Sequence, residues 1–278
     1  MRTAAIAYPP PWRIAAAALR ALSRASLLVI IVLLLVPDDG TGIATRLQNP
    51  LRLMRVFTIF SLAPGLGAWI IGRIFAAELS VDEAVLVLHR RGQRIEIPRD
   101  AIAGVVPWTI PLPSGGVRLH LSSGRWFDYA LQMRDPVAFI DALGRARASA
   151  EPAALYAKSL PEWRWYHYVL AFVVFALVPA LPVFRVSQWI AFGGTFGEYY
   201  TYGLRAYLLA LAIYWGTAIV YLVLWAALLR AVLEPIVLAT AWRAPARTLA
   251  VRRTVERVDR VLYYGAVPLF LARLFFRS

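Results

Sequence analysis

The sequence predicts an integral membrane α-helical bundle of about four transmembrane helices with one small β-rich domain inserted in it. Three observations carry that reading. Hydrophobic residues are 60% of the chain and mean hydropathy is +0.60, the composition of an integral membrane protein. Four apolar runs have the length of membrane spans. Between the second and third, apolar residues recur with a period of two, the mark of half-buried strands. The boundaries that follow are a transmembrane pair at 1–77, the β-rich domain at 78–147, a linker with a second transmembrane pair at 148–243, and a basic amphipathic segment with a short hydrophobic helix at 244–278.

Arg2, Arg13, Arg20 and Arg24 precede the unbroken apolar run Ala25 to Val36 with no acid among them. No small-x-small cleavage site follows Val36, and Ile14 to Leu22 extends the helix, so the segment reads as a span and not as a signal peptide. Basic residues ahead of the first span place the N-terminus in the cytoplasm, with Arg20 and Arg24 reaching back to the interface. Asp38 and Asp39 follow in a turn. The second span, about Val56 to Gly72, is interrupted by Pro64-Gly65 and Gly67. Such an interruption is either a packing kink or a substrate site built on a broken helix.

In the insert, Val85 to Arg90 and Arg94 to Ile97 flank the turn Arg91-Gly92-Gln93 as a hairpin. Gly104 to Ile110 is a further strand, in which Pro107 removes a ladder donor and signals an edge or a bulge. After the loop Pro111 to Gly116, Val117 to Leu121 pairs with Arg125 to Leu131 across Ser122-Ser123-Gly124. Asp135 as N-cap and Pro136 in first position open a helix. Its stripe of Val137, Phe139, Ile140 and Leu143 covers the sheet.

Short antiparallel strands closed by one helix, with the pattern RIEIPRDAIAGV from Arg94 to Val105 and the hairpin from Gly116 to Leu131, resemble the pleckstrin-homology-like modules of bacterial multi-span membrane proteins. The resemblance covers about a quarter of the chain. It implies a partly open β-barrel capped by a helix, an interaction or scaffolding role, and a bacterial inner membrane. The insert is short for that fold, so a first strand or two is missing from it.

Beyond the insert, Ala146 to Leu160 is a linker of helical tendency and Pro161 to Tyr168 an interfacial aromatic belt. The third span is Val169 to Phe184, and an amphipathic outer loop runs from Arg185 to Thr201. Ala206 to Leu229 holds 24 residues without a charge, bracketed by Arg205 and Arg230. Tyr207, Tyr214, Tyr221 and Trp225 fall on one face of this fourth span; they line a quinone or porphyrin cleft, or pack against neighbouring helices with their polar groups bonded across the bundle. Glu234, one turn from Arg230, reads as its interfacial ion-pair partner. The basic stretch Ala244 to Arg260 suits an anionic lipid surface through Arg247, Arg252, Arg253 and Arg257. Val261 to Phe276 is short for a span and reads as an interfacial or re-entrant helix.

Charge and motif content narrow the function. Nine arginines face eight acids within the insert, so the net charge of +14 belongs to membrane flanks and speaks for lipid contact, not nucleic acid. Cysteine is absent; His89, His120 and His167 have no carboxylates at ligand spacing, so neither a metal nor a cofactor is expected. No nucleophile elbow, Walker loop or dinucleotide fingerprint occurs. These absences predict a non-catalytic inner-membrane scaffold or accessory subunit that docks a protein partner through Trp108, Ile110 and Leu112. The alternative is a transporter or lipid- or quinone-handling protein using the broken second and aromatic fourth spans.

Overall fold

The computed structural model describes residues 2–35, 47–108, 115–144, 152–160 and 164–276. The chain divides into two compact units: residues 1–23, 63–161 and 234–255 form one, and residues 24–62, 162–233 and 256–278 the other.

The first unit is built on a curled antiparallel sheet of seven strands. They are β1 (Arg2–Tyr8), β2 (Ala76–Val81), β3 (Val85–Arg90), β4 (Gln93–Pro98), β5 (Ile102–Pro107), β6 (Gly116–Leu121) and β7 (Ala130–Met133), in the order β4-β3-β2-β1-β7-β6-β5. Two strands were not announced by the sequence, β2, which straddles the expected boundary at residue 77, and the central strand β1. β1 pairs with β2 from Arg2↔Ser80 to Ile6↔Ala76 and with β7 from Ala5↔Met133 to Tyr8↔Ala130. Ala5 and Ala7 enter the sheet's inner core, while Ile6 and Tyr8 on the opposite face pack with Ala16, Leu19, Ile71 and Phe75. A strand buried on both faces needs small residues on at least one of them, and the alanines supply that.

Arg91 and Gly92, with φ of 44° and 80°, close the β3–β4 hairpin in the two-residue left-handed turn that matches strand twist. The register slips between Ile102 and Gly104 in β5, a bulge that bends the terminal strand. The return strand predicted from Arg125 starts later: Trp126 makes an isolated bridge to His120, and β7 opens at Ala130. Helix α4 (Pro136–Ala142) is capped by the Asp135 carboxylate, which accepts from the Ala138 N–H at 2.9 Å. It drives Phe139, Ile140 and, from its C-cap, Leu143 into the core formed with Leu79, Leu86, Leu88, Val117, Leu119 and Leu131. Helix α5 (Pro152–Ser159) lies against Gly115, where an added Cβ would strike Ala157, and Lys158 pairs with Asp135 at 3.3 Å.

Among the described residues four helical stretches are long and apolar enough to cross a membrane: Pro10–Leu35 (α1), Pro50–Ile74 (α2, Pro50–Phe57, and α3, Ala63–Ile74), Trp165–Phe192 (α6, Trp165–Tyr168, and α7, Leu177–Phe192) and Leu204–Arg243 (α9), with the short α8 (Gly197–Tyr202) before the last. Between 11% and 28% of each apolar stretch is buried within the protein. More than two thirds of each apolar stretch is thus left at least partly exposed, unlike a helix folded in water.

In the second unit, two of these helices contain a π-helical turn, at Thr58–Leu62 and at Val169–Val174. Pro64 has no N–H to offer the Phe60 carbonyl, and the Ser26 hydroxyl donates to that carbonyl at 2.8 Å. The predicted break at Pro64-Gly65 is therefore a π turn followed by an unbroken helix, Ala63–Ile74. In the other π turn the Phe175 N–H bonds to Leu170 at 3.0 Å. The Ala171 carbonyl accepts instead from the Tyr263 hydroxyl at 2.8 Å, and the Val173 carbonyl from the Trp215 indole at 2.8 Å. Neighbouring helices supply the missing donors.

Candidate functional site

Of the three partner-facing residues expected near the end of β5, the structure describes Trp108 and buries it. Trp108 is 8% exposed. Its ring lies over Gly116, where a Cβ would come within 2.7 Å of Cε2, and the Arg13 guanidinium sits 4.5 Å above the ring centre. Trp108 is thus a buried wedge on the outer face of the sheet and offers no free anchor. Ile110 and Leu112 lie outside the described residues, as do Asp38 and Asp39.

What this face exposes instead is Val106, at 48%, and Trp126, at 43%. Val106 stands opposite Arg118 across the β5–β6 ladder. Arg118 stacks 4.5 Å over the Trp126 ring, and His120 meets the same ring edge-on at 5.0 Å. Trp126 had a signal in the sequence, since it alternates with the inward-packing Phe127 and Tyr129.

Among the proposed lipid-surface arginines, Arg247, Arg253 and Arg257 are exposed. Arg252 is not: at 3% exposure it grips Glu234 with two nitrogens, at 2.7 and 2.9 Å. The Tyr156 hydroxyl donates to the same carboxylate at 2.7 Å, and its ring lies 5.5 Å from the Arg252 guanidinium. Burial, and then the bond to Glu234, push the Tyr156 phenol up to about 12. The ion pair predicted inside one helix is thus drawn elsewhere: Glu234 is held by Arg252 and Tyr156. In the second unit Arg230 is held by Glu256, at 2.6 and 3.1 Å, and by Asp259 at 3.0 Å. Carboxylates and guanidiniums with little water available gather partners in a bidentate geometry.

The aromatic stripe of the fourth span divides among different neighbours. Tyr207 and Tyr214 pack on Phe184 with centroids 5.1 and 5.5 Å apart, and the Tyr214 hydroxyl bonds to Ser187 at 2.6 Å. Tyr221 is exposed, whereas the Trp225 indole donates to the Leu262 carbonyl at 3.3 Å. At the level of Gly216 the second and fourth spans touch, since a Cβ there would lie 3.1 Å from the Met54 sulfur. Among the described residues no group of three or more His, Asp or Glu gathers in a way that could hold a metal ion.

No family model, curated protein or solved structure matches the chain.

Proposed function

We propose that the protein is a bacterial inner-membrane scaffold or accessory subunit whose pleckstrin-homology-like module holds a protein partner at the cytoplasmic face. The supporting observation for the module is β1: it supplies the strand missing from the insert and joins two meanders, β1 to β4 and β5 to β7, into one sheet closed by α4. The first transmembrane pair then occupies the connection between β1 and β2.

The docking surface in this reading is the terminal strand β5 with the exposed Val106 and Trp126 beside Arg118. A terminal strand offers free backbone groups for an added strand. The flanking cation selects an extended segment that combines acidic and apolar side chains. Trp108→Ala would test folding instead, because that ring is buried. The discriminating experiment is a photo-crosslinking residue at Val106 in cells. It should give a discrete protein adduct that Trp126→Ala weakens several-fold without lowering the amount of inserted protein. Adducts to lipid alone, with a lipid or quinone retained against the second and fourth spans, would put the transporter or lipid-handling reading in its place.

A further inference from the structure

The helix α10 (Thr248–Phe276) falls outside the four candidate spans, because Arg257, Asp259, Arg260 and Arg273 leave only twelve uncharged residues in a row, Val261 to Ala272. We infer that its second half, from Val261 onward, is a fifth membrane-embedded segment and does not lie on the bilayer surface. The inference rests on the membrane reading of the third and fourth spans.

From Val261 to Leu271 the helix carries apolar side chains on its exposed face as well as on its buried one. Its inward face runs Glu256, Asp259, Tyr263, Val267, all buried, and both acids are consumed by Arg230. Its outward face presents Val261 and Leu269, at 72% and 73% exposure, together with Leu262 and Phe270. A segment that exposes large apolar side chains between its flanking arginines, with the two acids just ahead of it paired inside, has the pattern that hydrocarbon selects.

Depth follows from the packing partners. A helix lying on the surface would meet only the ends of the spans, but α10 runs along them. Asp259 meets Arg230 at the end of the fourth span's uncharged run, and the Leu262 carbonyl accepts from Trp225 inside it. Tyr263 and Val267 share one cluster with Ala171 and Ala176 of the third span and Leu222 of the fourth, against which Trp215 and Leu271 also pack. The Tyr263 hydroxyl satisfies the Ala171 carbonyl within the π turn. That donor is valuable only where water cannot replace it.

The charges fit the same depth. The thirteen helical steps from Arg260 to Arg273 rise roughly 20 Å, against a hydrocarbon thickness of roughly 30 Å. Arg257 and Arg260 are exposed and so is Arg273. Long guanidinium side chains reaching toward opposite headgroup layers make up the difference.

The chain has no cysteine, so single-cysteine spin labels report cleanly. Labels at Leu269, and at the outward-facing Leu209 of the fourth span, are compared by power saturation in vesicles of zwitterionic and anionic phospholipid, with oxygen and a water-soluble nickel chelate as relaxants. The Leu269 label should show an oxygen preference within about twofold of that at Leu209. Nickel access at Leu269 with oxygen preference at Leu209 would overturn the fifth segment while leaving the four spans standing. Nickel access at both positions would overturn the membrane reading on which the inference rests.

Discussion

Arg20, more than two turns into the first long helix, donates to the Tyr8 hydroxyl at 3.2 Å and to the Gln132 side-chain oxygen at 3.3 Å. Tyr8 is in β1 and Gln132 in β7, so this arginine locks the base of the helix to two adjacent strands and does not reach for a headgroup. Trp12 adds a ring contact to Phe75 with centroids 5.7 Å apart. Replacing the fully buried Tyr8 by Ala should cost about 3 to 5 kcal/mol, the scale of other buried aromatic truncations. Tyr8→Phe, which keeps the ring and loses only the bond to a charged donor, should cost about 1 to 3 kcal/mol. Thermal melts of the detergent-solubilised protein check the order; equal losses would mean that the hydroxyl, and not the ring, carries the contact.

Phe139 is fully buried beneath the sheet, where α4 closes the core. Phe139→Ala should lower stability by about 3 to 5 kcal/mol. Unchanged protease resistance of the β-module in that variant would contradict the packing described.

The strands of the insert, the Asp135 cap and the four apolar runs were legible because each is a local pattern: a period of two, a cap followed by Pro, or an uncharged run. β1 was not. Its residues, Arg-Thr-Ala-Ala-Ile-Ala-Tyr, have weak alternation and stand before a long apolar helix, so they read as a basic leader to it; only pairing with Ala76 to Ser80 and Ala130 to Met133 makes them a strand. The Trp108 anchor failed for a related reason, since burial of a loop-proximal Trp depends on Gly116 and Arg13, which are distant in sequence. Arg252 looked like one more cation in a basic stretch, and nothing local marks it as the partner of Glu234. Long-range partners decide these cases, and a single sequence does not display them.

Removing one member of the Glu234–Arg252 pair strands a charge where its partner was. Arg252→Met or Glu234→Gln should each destabilise by about 3 to 5 kcal/mol. The double variant should lose less than the sum, because it leaves no unpaired charge. Additive losses in a double-mutant cycle on melting midpoints would show that the two side chains act independently.

Tyr156 gives that cluster a pH signature. Its phenol titrates at about 12 in the fold against roughly 10 in an unfolded chain, so folding favours the protonated form. The stability this contributes is fully present below about pH 10 and is lost progressively as pH rises through about 12. Wild-type melting midpoints should therefore fall over that window more steeply than those of Tyr156→Phe, which has no proton to lose. Parallel pH profiles would separate the phenol from Glu234.

Topology follows from strand pairing together with charge. Because β1 and β2 are neighbours from Arg2↔Ser80 to Ile6↔Ala76, residues 9 and 75 must emerge on the same side of any membrane, so the intervening chain crosses it an even number of times. The arginines ahead of the first span predict that this side is the cytoplasm. On that prediction the third span leads outward, and the stretch around Tyr200 is expected to face the periplasm. The cysteine-free chain allows a direct check with a membrane-impermeant thiol reagent on intact cells. Ser123 suits the inner position better than Gly124, whose φ of 77° disfavours a side chain. Tyr200→Cys should react before lysis and Ser123→Cys only after it. Reaction of Ser123→Cys in intact cells would place the module outside and remove the cytoplasmic scaffold with it; reaction of both before lysis would require an odd number of crossings between them to be abandoned.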